Sequence, residues 1–313
     1  MENLELEQKV NEILTSNGLD FSILKVPLVA KVPVENGIDD KGEIVPIIRG
    51  IETDYFGLYN TKLGKVIHSV KGSYTPSQNK EIVEMVLKGS EPFGELSIQT
   101  AGSLHEGRKV FIQLALDGFA NVGNDKVKRY ITIIDSNDGS TGLSVGIGDL
   151  TMSCSNQFYQ FNKAGTMKAR HTMSIDSKIK ELPYLIKEAL SSSMKLIETY
   201  NKFASTKVSR DLANKMVNHL LGFDKTSSDT ILNELKSRST NAMESLYTCI
   251  ETEMNGKGQN LWGLHSGVTR WTTHEKSAPR RENGRLESSM MGTNYRTNQS
   301  SLEFCLDSLP VLV

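Results

Sequence analysis

The sequence is poor in cysteine and has no long apolar run, and both absences exclude whole classes of protein. Its three cysteines, Cys154, Cys249 and Cys305, are odd in number and lie far apart without CxxC spacing, which argues against a disulfide framework and a structural zinc site. No apolar run reaches the roughly 18 residues of a membrane helix, and the first residues lack the apolar core of a secretory signal. We therefore expect a cytoplasmic protein without a membrane partner.

An excess of charge of one sign is also missing. The 36 Lys and Arg residues nearly balance 37 Asp and Glu residues, which gives a formal net charge of −1 at pH 7. Overall charge therefore neither attracts the chain to nucleic acid nor repels it, and any basic surface must be local. With 313 residues, of which 38% are hydrophobic, the chain can form one large domain or two modest ones.

The spacing of apolar residues changes along the chain. Residues 1–20 have helical spacing and predict an N-terminal helix, whereas residues 21–174 form short apolar runs separated by turn residues, as β-strands do. One helix is expected to interrupt these strands near residues 77–87. From residue 175 to residue 313 the period is again helical. The predicted fold class is α+β, with a mostly antiparallel sheet in the N-terminal half covered by helices from the C-terminal half.

Three helices and one loop can be placed in the C-terminal half. A helix of about 20 residues is expected to begin at Leu182, and a second lies between Ser209 as N-cap and Gly222 as stop. A third is expected from Asp229 to Met254. The polar and basic segment near residues 275–286 predicts an exposed loop.

Residues 157–172 contain aromatic and basic side chains and no acidic one. Aromatic rings stack on bases and Lys or Arg neutralises phosphates, so this stretch predicts a surface for single-stranded nucleic acid. The alternative interpretation is a strand with a solvated exit loop. Further basic residues at 126–129 and 280–281 extend the prediction. The candidate nucleic-acid-binding residues are Lys126, Lys128, Arg129, Tyr159, Phe161, Lys163, Lys168, Arg170, His171, Arg280 and Arg281.

An enzyme remains open as an alternative. Asp135 and Asp138 follow a strand-like run in "DSNDGS", and together with His171 they could bind a divalent metal ion, as in a metal-dependent nuclease, or serve another hydrolase. The same residues suit a hairpin turn, because Asp138 and Gly139 tolerate left-handed geometry and Asp side chains bond the local backbone. We favour the turn for both carboxylates, and we expect no cofactor.

The segment "NLWGLHSGVTRWTTH" has helical spacing around two tryptophans. Leu261, Leu264, Val268 and Trp271 fall on one helical face, so Trp271 is expected in the core. Trp262 falls on another face, where a stacked base or a subunit contact is the alternative to burial.

Six stretches of the sequence carry a resemblance to a known family. In order along the chain they are "YFGLYNTKLGKVIHSVKGSYTPSQNKEIVEMV", "GSLHEGRKVFIQLAL", "YITIIDSNDGSTGLSVGIGDLTMSCSNQF", "RHT", "NLWGLHSGVTRWTTH" and "RLESSMMG". Over roughly residues 21–309 the chain resembles the phage- and plasmid-encoded proteins of domain of unknown function family 932. The resemblance implies a bacteriophage or mobile-element origin, and hence a host-cell cytoplasm, but it brings no established activity.

The favoured function is therefore single-stranded DNA binding in phage or plasmid DNA metabolism. A DNA recombination protein that anneals strands as a homo-oligomer is the form we consider first, by analogy at the level of the fold. A metal-dependent nuclease or other hydrolase is the second hypothesis. A host-interaction protein without catalysis is the third, so the sequence leaves the question of enzymatic activity open while favouring binding.

Overall fold

The computed structural model describes residues 3–94, 96–153, 156–160, 167–223, 237–281 and 283–310. Helices lie at both ends of the chain and strands in between, as the α+β prediction requires. None of the helices in these ranges is long and apolar enough to cross a membrane. The helices are α1 (Asn3–Ser16), α2 (Asn79–Ser90), α3 (Ile175–Lys180), α4 (Leu182–Ser205), α5 (Arg210–Leu221), α6 (Ser237–Lys257), α7 (Leu261–Arg270), a π-helical turn (Trp271–Glu275), α8 (Gly284–Met291) and α9 (Thr293–Asp307).

The strands form two antiparallel sheets. The smaller sheet has the order β1-β2-β3, and the larger has the order β10-β8-β7-β5-β4, with β6 paired to β7 and β9 paired to β8. Every paired strand is antiparallel to its neighbour. The strands are β1 (Ile23–Ile38), β2 (Ile44–Asn60), β3 (Lys65–Lys71), β4 (Leu96–Leu104), β5 (Lys109–Leu116), β6 (Ala120–Val122), β7 (Asp125–Ser136), β8 (Leu143–Thr151), β9 (Asn156–Gln160) and β10 (Met167–Ala169).

Helices cover both faces of the larger sheet. Successive side chains of a strand point to opposite faces, so Ile133 and Ile134 of β7 mark the two sides. Ile133 packs in a cluster with Ile186 of α4, whereas Ile134 packs with Met290 of α8 and with Tyr295. The prediction that C-terminal helices cover the sheet is confirmed, and α2 from the N-terminal half adds to the cover on the α4 side.

The predicted C-terminal helices begin and end close to the expected residues. The long helix α4 starts at Leu182 and has Pro183 in its first turn, where proline is tolerated. Ser209 caps α5 by accepting a hydrogen bond from the backbone nitrogen of Leu212, and Gly222 ends it. The third predicted helix reaches Lys257, and its first residues, 229–236, lie outside the described residues.

Both tryptophans of the "NLWGLHSGVTRWTTH" segment are buried. The expectation for Trp271 is confirmed, because it lies in the core at the start of the π-helical turn. The alternative for Trp262, an exposed ring free to stack, is wrong. Its side chain is buried and its indole nitrogen donates a hydrogen bond to Oδ2 of Asp125 at 2.7 Å.

The first two strands extend far beyond the rest of their sheet. β3 pairs with β2 only from Tyr55 to Asn60, so residues 28–54 form a two-stranded arm. Every residue of this arm is exposed or half-exposed.

Candidate functional site

The C-terminal end of β7 places a buried carboxylate beside a histidine from a distant part of the chain. Asp135 is 3% exposed, and its Oδ1 lies 2.8 Å from Nε2 of His171. Its Oδ2 accepts a hydrogen bond from the hydroxyl of Ser77, just before α2. One carboxylate therefore joins three segments: the end of β7, the chain before α2 and the chain after β10.

His171 is held in this position from two further directions. The ring of Tyr74 stacks parallel on the imidazole with 4.9 Å between ring centroids, and the Tyr74 hydroxyl donates to the carbonyl of Ser136. The backbone nitrogen of Thr75 donates to the carbonyl of His171 at 3.2 Å. Nδ1 of His171 is buried and makes no hydrogen bond of acceptable geometry within the described part of the chain.

This environment favours the imidazolium form of His171. Burial alone would lower its pKa, but the hydrogen bond and negative charge of Asp135, together with the backbone of Thr75, hold the pKa above its usual value. In that form the ring makes an ion pair with the Asp135 carboxylate, so the pair as a whole carries no net charge.

A cleft of about 630 Å³ opens next to this pair. It is lined by Tyr74, by the loop 139–142 and by residues 170–172, none of which is acidic. Arg170 is exposed in this segment. Hydroxyls and the exposed guanidinium of Arg170 line this cavity, and this composition favours an anionic ligand.

The loop 136–142 confirms one half of the turn prediction and corrects the other. Asp138 serves the turn, since its Oδ1 accepts from the backbone nitrogen of Ser140 at 2.9 Å and Gly139 has a φ of 70°. Asp135 does not serve the turn. It lies two residues after Ile133 on β7 and so points to the face of the sheet that α2 and α4 cover. Ser136, the next residue, points the other way, and its hydroxyl closes the loop onto Thr141.

A further carboxylate of this sheet, Asp149, lies too far away to join Asp135 and His171 in a metal site. Asp149 lies on β8 opposite Arg129, about 20 Å along the strand direction from the Asp135 end of β7. It is buried and accepts a hydrogen bond from the Tyr200 hydroxyl at 2.9 Å, while burial raises its pKa to about 7. In the described ranges, no three His, Cys, Asp or Glu side chains are grouped so that they could hold a metal ion.

Of the two aromatic residues of the predicted nucleic-acid surface, the one that the structure describes, Tyr159, is not exposed. Tyr159 is 5% exposed, and its hydroxyl accepts a hydrogen bond from Gln113, so it cannot stack on a base. The pairing of β9 with β8 turns this ring onto the sheet, under α8. His171 is also buried and cannot contact a phosphate directly. Phe161 and Lys163 lie outside the described residues.

The basic candidates fall into separate places. Lys168 lies in β10 opposite Ser144, next to Arg170 at the cleft. Lys126 and Lys128 lie at the other end of the sheet, with Lys128 opposite Leu150, roughly 20 Å from Lys168 along the strands.

The three arginines of the prediction, Arg129, Arg280 and Arg281, do not lie beside Lys126 and Lys128. Arg129 alternates with Lys128 along β7 and so faces the opposite side of the sheet. Arg280 is exposed, whereas Arg281 forms an ion pair with the buried Glu287. Burial would raise the pKa of Glu287, but hydrogen bonds from Lys109, His105 and Arg281 lower it to about 2. Arg281 is therefore already paired, with a carboxylate that it shares with Lys109.

Sequence reasoning missed an exposed aromatic residue beside the basic end of the sheet. Phe119 is 49% exposed, and Nζ of Lys128 lies 5.7 Å from its ring centroid. Lys126 is exposed on the same face of β7 as Lys128. The "DGF" turn before the "DKVK" run is the local signal, because a phenylalanine in a turn has little opportunity for burial.

We expect Gly142→Ala to disrupt the cleft. A Cβ at this position would overlap the carbonyl oxygen of Ala169, so β10 and the attached residues Arg170 and His171 must shift. The expected loss is about 1–3 kcal/mol of unfolding free energy, measured by urea denaturation. Gly94→Ala is the matched control, since a Cβ there meets no neighbour within 4 Å. Equal stability of the two variants would contradict the close approach.

Stability should depend on pH through His171. Because its folded pKa is raised, its contribution is fully present below the unfolded pKa of about 6.5 and is lost as the pH rises through the folded pKa. His171→Gln should lose about 2 kcal/mol at pH 6 and show a flatter profile above pH 6.5. Urea unfolding from pH 5.5 to pH 9 measures both effects, with His68→Gln as control. Parallel profiles for wild type and His171→Gln would exclude this linkage.

Comparison with known proteins identifies a family but no activity. A family model described as "Domain of unknown function (DUF932)" matches residues 66–301, which is more than half of the chain. No curated protein and no solved structure matches the chain. The matched region contains the Asp135–His171 pair, the cleft and the surface formed by Phe119, Lys126 and Lys128, here called the Phe119 surface. The chain belongs to the DUF932 family.

Proposed function

We propose that the protein binds single-stranded DNA, with phosphates held in the cleft beside His171. The exposed guanidinium of Arg170 at a cleft lined by no acidic residue is the observation that carries this proposal. His171 supports the wall of this cleft through its contact with Asp135 and its stacking on Tyr74. The near-neutral composition of the whole chain does not reveal the local charge of Arg170.

The Phe119 surface supports a single strand rather than a duplex. A ring that is half exposed beside two lysines can stack on an unpaired base while the lysines neutralise adjacent phosphates. In a duplex the bases are stacked on each other and do not present their faces. Lys128 at the Phe119 surface and Lys168 near the cleft are separated by roughly 20 Å along the strands, which fits a site of several nucleotides. A role in recombination or strand annealing, which the resemblance to phage- and plasmid-encoded proteins suggests, agrees with this binding.

Variants of the two positions should differ in their dependence on salt. Arg170→Ala should weaken binding of a labelled oligothymidylate and reduce the slope of log affinity against log salt by about 0.7, because one phosphate contact is lost. Phe119→Leu should weaken binding by about 1–3 kcal/mol without changing the slope, because a neutral ring releases no counterions. Fluorescence anisotropy at several salt concentrations measures both.

Matched controls lie on α4. Tyr184 is an exposed ring and Lys187 an exposed lysine on the first turns of this helix. Tyr184→Leu and Lys187→Ala should leave affinity and slope unchanged. No measurable binding by the wild type, or equal effects of test and control variants, would refute the proposed surface.

Hydrolysis is the second candidate, favoured by the contact between Asp135 and His171. In catalytic Asp–His pairs the carboxylate orients the ring so that its other nitrogen accepts a proton from a nucleophile. Here that nitrogen, Nδ1, is buried, and because the pKa of the ring is raised, a larger share of the rings is already protonated than for a free histidine at the same pH. Catalysis therefore requires the cover of the ring, which includes Tyr74, to open. For these reasons we rank DNA binding above hydrolysis as the proposed function.

A cleavage assay separates the two candidates. The wild type and His171→Gln are incubated with labelled single-stranded DNA, with and without Mg²⁺ or Mn²⁺, and the products are resolved on a denaturing gel. If the protein only binds, the DNA stays intact in every lane. Cleavage by the wild type that disappears in His171→Gln while binding persists would establish hydrolysis instead.

A further inference from the structure

The arm formed by residues 28–54 exposes apolar side chains on both of its faces. Pairs that lie opposite each other across the strands share a face, which places Val32 with Ile47 and Ile51 on one side and Val29 with Ile48 on the other. The most exposed apolar side chains lie at the tip, where Ile38 is 77% and Ile44 is 75% exposed. The exposed valines and isoleucines of the arm are Val29, Val32, Val34, Ile38, Ile44, Val45, Ile47, Ile48 and Ile51.

An arm of this kind is not stable by its own contacts. Each of its strands runs for about 35 Å with no covering element among the residues that the structure describes, and an isolated two-stranded hairpin is marginal in water. Several hundred Å² of contiguous exposed apolar surface marks an interaction site. The arm must therefore gain stability from a partner.

Charge excludes nucleic acid and an anionic membrane as that partner. Residues 28–54 contain three basic residues, Lys31, Lys41 and Arg49, and six acidic ones, so the arm has a net charge of −3. The acidic residues are Glu35, Asp39, Asp40, Glu43, Glu52 and Asp54. Phosphates would be repelled, most strongly at the tip.

The free edges of the arm are unsuited to strand addition. Pro33 and Pro46 each lack a backbone donor, and register shifts occur at Pro27–Val29 and at Pro33–Glu35. The apolar faces are thus the surfaces that a partner must cover.

The three-stranded sheet at the base of the arm also exposes apolar side chains, which could contact the apolar face of an arm. Leu24 and Val66 lie opposite Tyr59 on the outer face of the three-stranded sheet, and Tyr55 shares this face. Leu24, Tyr55 and Val66 are each between 44% and 49% exposed. The exposed apolar surface therefore continues from the arm onto this face of the sheet.

From these features we propose that two copies of this chain exchange arms, each arm lying against the outer face of the other copy's three-stranded sheet. An arm that lies flat buries one of its two faces, which carries about half of its nine exposed aliphatic side chains. Together with Leu24, Tyr55 and Val66 of the receiving face, these side chains supply on the order of 350 Å² of apolar surface per contact, or about 700 Å² for both contacts. Because roughly 57% of an interface is non-polar, this corresponds to roughly 1,200 Å² in total, the lower end of the standard size. A two-fold arrangement needs no other protein, because the arm and its receiving face are both present in each copy. The exchange is independent of DNA binding.

Light scattering coupled to size exclusion tests the exchange at micromolar concentration. The wild type should have at least twice the monomer mass of 34.7 kDa. Ile44→Lys with Ile48→Lys should be monomeric and should keep the helical circular dichroism signal, because both side chains are exposed in the arm and lie outside the helical body. Tyr55→Lys with Val66→Lys, on the receiving face, should also be monomeric.

Exposed apolar residues away from the arm serve as controls. Tyr184→Lys and Met194→Lys lie on α4 and should keep the wild-type mass. Ile38→Lys at the tip is a milder variant that decides the question if the double substitution impairs folding, and it should shift the equilibrium toward monomer. A monomeric wild type, or arm variants that retain the wild-type mass, would overturn the exchange.

Discussion

The buried carboxylate of Asp135 is the interaction on which the candidate site depends. It accepts hydrogen bonds from Ser77 and His171, which are 94 positions apart in the sequence. A buried charge without such partners is strongly destabilising, so the chain before α2 and the chain after β10 are held at the end of β7. The stacked ring of Tyr74 and the loop 139–142 then complete the cleft.

The distribution of charge explains how a near-neutral protein can present an anion site. Basic residues are paired with a carboxylate where they serve the fold, as Arg281 and Lys109 both are with Glu287. Lys257 similarly pairs with Asp125 beside Trp262. Arg170 lies at a cleft whose lining contains no acidic residue. Local arrangement and not total charge therefore determines which anions the surface can attract.

The arm obeys a different constraint from the rest of the molecule. In the body, polar groups such as Asp149 and His265 are buried, the first bonded to Tyr200 and the second to Ser301. In the arm, valines and isoleucines are exposed although they have high β propensity. The residue types that stabilise the two strands also make their faces apolar, so strand formation and association with a second copy draw on the same side chains.

The sequence alone determined the fold class, the antiparallel pairing, the limits of α4 and α5 and the turn role of Asp138, because these depend on local periodicity and on capping or turn chemistry. It could not decide which face of a strand is covered. Tyr159 was therefore assigned to a surface although helix α8 buries it, and Phe119 was missed. The pairing of Asp135 with His171 joins residues 36 positions apart, and only the tertiary structure brings them together. Burial and long-range contact arise from packing between elements, which no local pattern encodes.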